Sequence, residues 1–220
     1  AAKVMDIKME DATVAIVGAT GAIGRVCSAL LAGEAARTLL IARDEKKLEV
    51  LRDRLQIEAR SELVISTKMD VLKDAQLILT VTSSIHDVIR PEFLQPGSVV
   101  CDVARPRDVS AMVAAVRDDI LVIDGGMVDV PGPVDFHFNF GFPDGKAYAC
   151  MAETIALALD GRFEDYTVGR EITLERVQEI TAISEKHGFR MSGFRSFERE
   201  VTEEQIEAVR HNARKGTRRA

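Results

Sequence analysis

Val14-Ala-Ile-Val-Gly18-Ala-Thr-Gly21-Ala-Ile-Gly24 decides the fold: an apolar run breaks into three glycines and resumes as a helical pattern. The stretch reads as strand, phosphate loop and helix. In the spacing Gly-x-x-Gly-x-x-Gly, the first glycine permits a sharp turn and the second lets bare backbone approach a pyrophosphate. The third lets the helix pack closely on the strand. The unpaired N–H groups and dipole of the helix then face the anion. Glycine trios also serve ordinary tight turns. Here a buried-strand pattern ahead and an amphipathic pattern behind select dinucleotide binding, with Gly18, Ala19, Thr20, Gly21, Ala22 and Ile23 around the pyrophosphate.

The next strand, Thr38-Leu-Leu-Ile41, ends in Ala42-Arg43-Asp44. An acidic residue at this place binds the ribose hydroxyls of NAD, whereas an arginine accommodates the extra phosphate of NADP. Arg43 comes first, and Asp44 reads as the N-cap of a helix carrying Leu48, Leu51 and Leu55. NADP is therefore the expected cofactor. Further strands fall at Leu63–Ser66, Ala75–Val81, Val99–Asp102 and Ile120–Ile123, apolar as strands covered on both faces are. Cys101 sits inside one of them. Strands alternating with helices at this rhythm give an α/β, doubly wound parallel sheet of the Rossmann type. The first helix, Ala22 to Leu31, is expected to bury Ile23, Val26, Cys27, Leu30 and Leu31. At the carboxyl end of the fourth strand, Thr82-Ser83-Ser84 either line the cofactor crevice or cap a turn, and His86 is a candidate to face the nicotinamide.

Residues 1–12 form a lead-in, 13–145 the NADP-binding domain, 146–213 a C-terminal helical extension and 214–220 a frayed basic tail. Asp135-Phe-His-Phe-Asn-Phe140 alternates strictly and predicts an added edge strand with His137 on its opposite face. A helix follows from Lys146 or Ala147 to Leu159. Thr173 starts another, with Ile172 and Val177 as a hydrophobic staple, and His187-Gly188 ends it. Thr202-Glu-Glu-Gln205 is a capping box with a staple from Val201 to Ile206. The apolar faces Ile155, Leu157, Leu159 and Val177, Ile180, Ile183 exceed what one small core covers, so these helices fold back on the sheet or swap into a partner, and a homodimer is expected.

With 220 residues, 46% of them hydrophobic, the chain supports one main domain and an appendage. A net charge of -6 and a pI near 5.4 exclude a nucleic-acid-binding body, which needs a basic face. Cys27, Cys101 and Cys150 lie far apart without a Cys-x-x-Cys pair, so neither a disulfide framework nor a metal site is indicated, and a reducing cytoplasm fits. No apolar run approaches the roughly eighteen residues of a membrane span, and the start lacks a signal pattern.

Cys150 has the most suggestive place. It lies in the first turn of a helix after a loop, where the dipole lowers a thiol pKa, and Lys146 precedes it by about one turn. Cysteine is also among the most buried residue types. The residues alone leave packing and nucleophilic chemistry both open.

Over most of residues 13 to 190 the chain resembles the NADPH-binding, C-terminal part of the cyanobacterial long-chain acyl-[acyl carrier protein] reductases. The matching pieces are Val17-Gly-Ala-Thr-Gly-Ala-Ile-Gly24, Leu40-Ile-Ala-Arg43, Asp124-Gly-Gly126, Ala149-Cys150-Met-Ala-Glu153, Val168-Gly-Arg170, Ile172-Thr173 and Lys186-His-Gly-Phe189. The Cys-x-Ala-Glu and Gly-Arg-x-Ile-Thr pieces are the specific ones. The resemblance implies that Cys150 takes an acyl group from an acyl carrier protein or coenzyme A thioester and that hydride from NADPH releases an aldehyde. Asp102-Val-Ala-Arg-Pro-Arg-Asp-Val109 also resembles glutamyl-tRNA reductases, whose cysteine lies in another domain. The acyl reductases carry a sizeable domain ahead of the glycine loop, where residues 1–12 stand here, and the tail after Phe189 runs past their usual end. Two further readings compete with the reductase: an NADP-binding module that completes or regulates a partner, and a dehydrogenase using His86 or Lys146 on a small carbonyl compound.

Overall fold

The structure is a computed structural model that describes residues 1–84, 88–104, 106–139, 141–167, 172–197 and 199–217. The chain divides into two units: residues 1–123 with 202–220, and residues 124–201.

The first unit is built on β1 (Thr13–Val17), α1 (Ala22–Ala32), β2 (Arg37–Ile41), α2 (Glu45–Leu55), β3 (Glu62–Ser66), β4 (Leu77–Thr80), β5 (Val99–Asp102), α3 (Ala111–Val116) and β6 (Leu121–Ile123). The six strands form one parallel sheet in the order β3-β2-β1-β4-β5-β6, the doubly wound arrangement expected. The order reverses between β1 and β4, and the phosphate loop leaves β1 at that point. Val14, Ile16 and Leu40 on one sheet face bury against Ala19, Ala35, Leu48 and Leu51. Each fully buried aliphatic side chain of this kind contributes about 1.5–3 kcal/mol.

In α1 the buried residues are Gly24, Val26, Ser28 and Ala32, while Ile23 and Leu30 are exposed. Val26 is buried and Leu31 packs against the core as expected, and the reading is corrected at Ile23 and Leu30. The bare backbone of Gly24 seats the helix, which turns its small residues inward and swings the two large side chains out. The Ser28 hydroxyl satisfies itself on the Gly24 carbonyl at 2.7 Å. Half-buried Cys27 has its thiol pKa pushed up by burial, which suits packing rather than chemistry.

The second unit contains β7 (Gly126–Asp129), β8 (Lys146–Ala147), α4 (Ala149–Leu159), α5 (Leu174–Lys186), β9 (Arg190–Ser196) and β10 (Arg199–Glu200). Its antiparallel sheet runs β10-β9-β7-β8, with an irregular register between Gly126 and Val128. The small residues Ala152 and Ala156 let α4 approach closely, and they close a core with Leu157, Tyr166, Ile183 and Phe189. The region expected to be helical is thus mixed, with Lys146 and Ala147 in a strand. The expected edge strand at 135–140 does not form over its described residues: His137 has φ 51 and its N–H donates to Asp135 Oδ1 at 2.7 Å, a local turn instead of a ladder. Phe140 lies outside the described residues.

Thr173 caps α5 as expected, accepting from Arg176 N at 3.3 Å. The last helix, α6 (Glu203–Thr217), belongs to the first unit. It opens on the expected capping box, with Gln205 N to Thr202 Oγ1 at 3.3 Å and Thr202 N to Gln205 Oε1 at 2.9 Å. Arg210 pairs with Asp6 and Asn212 donates to the Asp118 carbonyl, and the helix continues to Thr217.

Candidate functional site

The phosphate loop is held by β2: Gly18 N and Ala19 N both donate to the Ile41 carbonyl, at 2.8 and 3.1 Å. Gly18 turns the chain at φ 88, and a Cβ there would meet the Val81 carbonyl oxygen at 3.0 Å. Gly21 is the N-cap of α1. A Cβ on Gly21 would meet the Gly18 carbonyl oxygen at 3.2 Å, a tight contact, and no other atom within 4 Å, so its bareness also leaves the cleft floor open. That is the cradle a pyrophosphate requires, and the residues present fit a dinucleotide.

A cleft of about 290 Å³ joins this loop to the carboxyl ends of β2 and β4. It brings together Gly18, Thr20, Gly21, Arg43, Thr82, Ser83 and Ser84, together with Lys47 and Val88. Of the other residues expected around the pyrophosphate, Ala19 is fully buried beneath the loop, while Ala22 and Ile23 begin α1 and do not line the cleft. Exposed Arg43 stands at the end of β2. Asp44 caps α2, accepting from Lys47 N at 3.1 Å, and this backbone bond leads the influences that hold its carboxyl below the usual range. The acid that would hold a ribose diol is thus occupied, with Arg43 and Lys47 beside it. His86 lies outside the described residues.

Sequence reasoning missed the support behind the β4 wall. Asp108, fully buried, accepts from the hydroxyls of Thr80 and Thr82 and from Thr82 N at 3.0 Å. Asp102, also buried, accepts from Ala104 N at 3.1 Å and Val109 N at 2.9 Å. Burial is the leading cause of its raised pKa. The signal was present as the Asp-x5-Asp spacing after a strand, but the residues they serve are remote in sequence.

In the second unit, Cys150 is exposed in the first turn of α4, whose N-cap is Tyr148. An aromatic and cationic cluster sits by this helix start: the Phe142 and Tyr148 rings meet edge-on at 4.3 Å, and the Arg195 guanidinium lies 4.3 Å over Phe142. Lys146 Nζ donates to Asp129 Oδ1 at 3.0 Å and to Ser192 Oγ at 2.8 Å. His187 Nε2 lies 2.9 Å from Asp160 Oδ1 at the end of α5. The Val168-Gly-Arg170 piece falls outside the described residues. Among the described residues, no helix is long and apolar enough to cross a membrane.

Residues 1–124 match the family model described as shikimate / quinate 5-dehydrogenase, and the chain belongs to that family. It is similar to the aminotransferase PigE of a Serratia strain, 35% identical over 206 residues, which cover 92% of this chain and 24% of the relative. It is also similar to the long-chain acyl-[acyl-carrier-protein] reductase of Synechococcus elongatus, 32% identical over 197 residues, covering 86% of this chain and 56% of the relative. The chain therefore spans less than two thirds of either relative. The nucleotide-binding domain of glutamyl-tRNA reductase from Thermoplasma volcanium is 18% identical with a TM-score of 0.40, covering 54% of this chain and 81% of that one. No weight rests on a likeness at that level. The first unit is a dehydrogenase-type Rossmann domain of the kind that takes a nicotinamide dinucleotide.

Proposed function

We propose that this chain, a member of the shikimate / quinate 5-dehydrogenase family, is an NADPH-dependent reductase that converts an acyl thioester to an aldehyde through Cys150. The observation that carries the reading is the exposed thiol in the first turn of α4, in a chain similar over 86% of its length to a reductase of acyl carrier protein thioesters.

Gly18, Thr20 and Gly21 would hold the pyrophosphate, Arg43 and Lys47 the 2′-phosphate, and Thr82, Ser83 and Ser84 the wall at β4. A guanidinium gives a phosphate a charge-assisted, bidentate contact that NAD has no group to use. When bound, NADPH supplies the hydride that reduces the acyl group. The Cys150 thiolate attacks the thioester carbonyl and expels the carrier thiol, and it leaves again as thiolate when the aldehyde is released, so it is regenerated in each turnover. An acyl carrier protein or coenzyme A thioester fits as the substrate, and a homodimer as the assembly. Lys146, engaged by Asp129, serves in this reading to fix the strand ahead of Cys150.

A second reading, a dinucleotide-binding module that serves a larger protein without chemistry of its own, draws on the 24% and 56% of the relatives' lengths that the chain spans. An aldehyde assay separates the two. With a long-chain acyl thioester and NADPH, wild type should form aldehyde in step with NADPH oxidation and Cys150→Ala should form none; the module reading requires neither protein to do so.

A further inference from the structure

The segment 102–109 takes no part in the chemistry above, yet it holds two buried carboxylates, Asp102 and Asp108, exposed by 1% and 0%. Carboxylates are rarely kept from water unless their hydrogen bonds are met by the protein. Among the described residues, the partners of the Asp108 side chain are Thr82, in the wall of the dinucleotide cleft, and Thr80, in the strand that leads into it. Its Oδ2 accepts from Thr82 N at 3.0 Å and from the Thr80 hydroxyl, and its Oδ1 accepts from the Thr82 hydroxyl. Its main-chain carbonyl accepts from Val88 N at 2.9 Å and Ile89 N at 3.1 Å. One residue therefore grips the chain at Thr82 and again at Val88, both of which line the cleft. Thr82 passes the constraint on, its hydroxyl accepting from Ser84 N at 3.1 Å. Asp102 in turn fixes the backbone that carries Asp108, through Ala104 N and Val109 N.

In the sheet, β4 lies beside β1 on the side away from β2. A dinucleotide with its 2′-phosphate at Arg43 and its pyrophosphate on the glycine loop carries its nicotinamide half toward residues 82–84. We infer that Asp108 is a positioning residue for the nicotinamide half of the cofactor, acting through Thr82 without touching the ligand. The inference rests on the NADP reading above. It goes beyond packing, because a residue that merely stabilised the fold would affect both halves of the dinucleotide alike.

The test uses Asp108→Asn and Thr80→Val, with NADPH and 2′,5′-ADP as calorimetric ligands; the second ligand fills only the adenosine half. Thr80 is fully buried and does not line the cleft, so Thr80→Val, a near-isosteric change, keeps the test decisive if Asp108→Asn does not fold. Both variants should bind NADPH about tenfold more weakly, as the wall at Thr82 loses its fixed geometry. Affinity for 2′,5′-ADP should stay within about twofold of wild type, a change of under about 0.5 kcal/mol. A folded Thr80→Val with unchanged NADPH affinity, or equal losses on the two ligands, overturns the inference. Failure of wild type to bind 2′,5′-ADP overturns the NADP reading itself, and the inference falls with it.

Discussion

Gly24 packs so closely on Gly18 that a Cβ on Gly24 would stand 2.2 Å from the Gly18 carbonyl oxygen and 2.9 Å from Ala19 Cα. These are backbone atoms in a loop pinned to β2, so they cannot give way cheaply. Gly24→Ala should therefore cost about 1–3 kcal/mol or more through overpacking. Gly21→Ala meets only one atom, at 3.2 Å, and its Cβ enters the cleft floor. It should lower the melting temperature less than Gly24→Ala does and weaken dinucleotide binding. Thermal melts and cofactor titrations on the two variants check the contrast, and the reverse pattern would count against the cradle.

Arg43 sets the cofactor preference in this account. Arg43→Ala should cost NADPH about 1.5–3 kcal/mol of binding free energy, or roughly ten- to hundredfold, and leave NADH affinity nearly unchanged. Fluorescence titration of both cofactors reads this directly. Equal affinity of wild type for NADPH and NADH would remove the assignment.

Asp160, the C-cap of α4, accepts from Lys186 and from His187 Nε2, and the Lys186 bond is the first cause holding its carboxyl below the usual range. A carboxyl with a depressed folded pKa contributes stability that is present above its unfolded value and lost as pH falls through the folded one. Asp160→Asn should therefore melt below wild type at neutral pH. On acidification below about pH 4 the difference should close. A difference that does not change with pH would mean that Asp160 acts through geometry alone.

Thr202 and Gln205 exchange two hydrogen bonds at the start of α6. Thr202→Ala should cost about 1 kcal/mol, seen as a lower denaturant midpoint with an unchanged slope.

The parallel sheet and the starts of α2, α5 and α6 were legible because their determinants are local. Continuous apolar runs mark strands covered on both faces, and Asp44, Thr173 and Thr202 cap within one turn. β9 was not legible. Its sequence Arg190-Met-Ser-Gly-Phe-Arg-Ser196 has no alternation and a single strong β-former, Phe194, and it becomes a strand by pairing with β7, more than sixty residues away. The alternation at 135–139 misled for the opposite reason: an Asp135 side chain that bonds the backbone two residues on overrides the period. The face of α1 was set by the absence of a side chain at Gly24, which a hydrophobic pattern does not register. In the candidate site, the glycine loop, Arg43 and Thr82 to Ser84 could be placed from the sequence. Asp108 could not, because its hydrogen bonds to Thr80 and Thr82 span more than twenty residues.

The central claim is that Cys150 takes the acyl group. Incubation with a long-chain acyl thioester followed by intact-mass measurement, with and without NADPH, tests it most directly. The account predicts a single acyl adduct on wild type that is absent in Cys150→Ala and is discharged as aldehyde when NADPH is added. A folded, NADPH-binding protein that forms no adduct, or one whose adduct persists in Cys150→Ala, would contradict it.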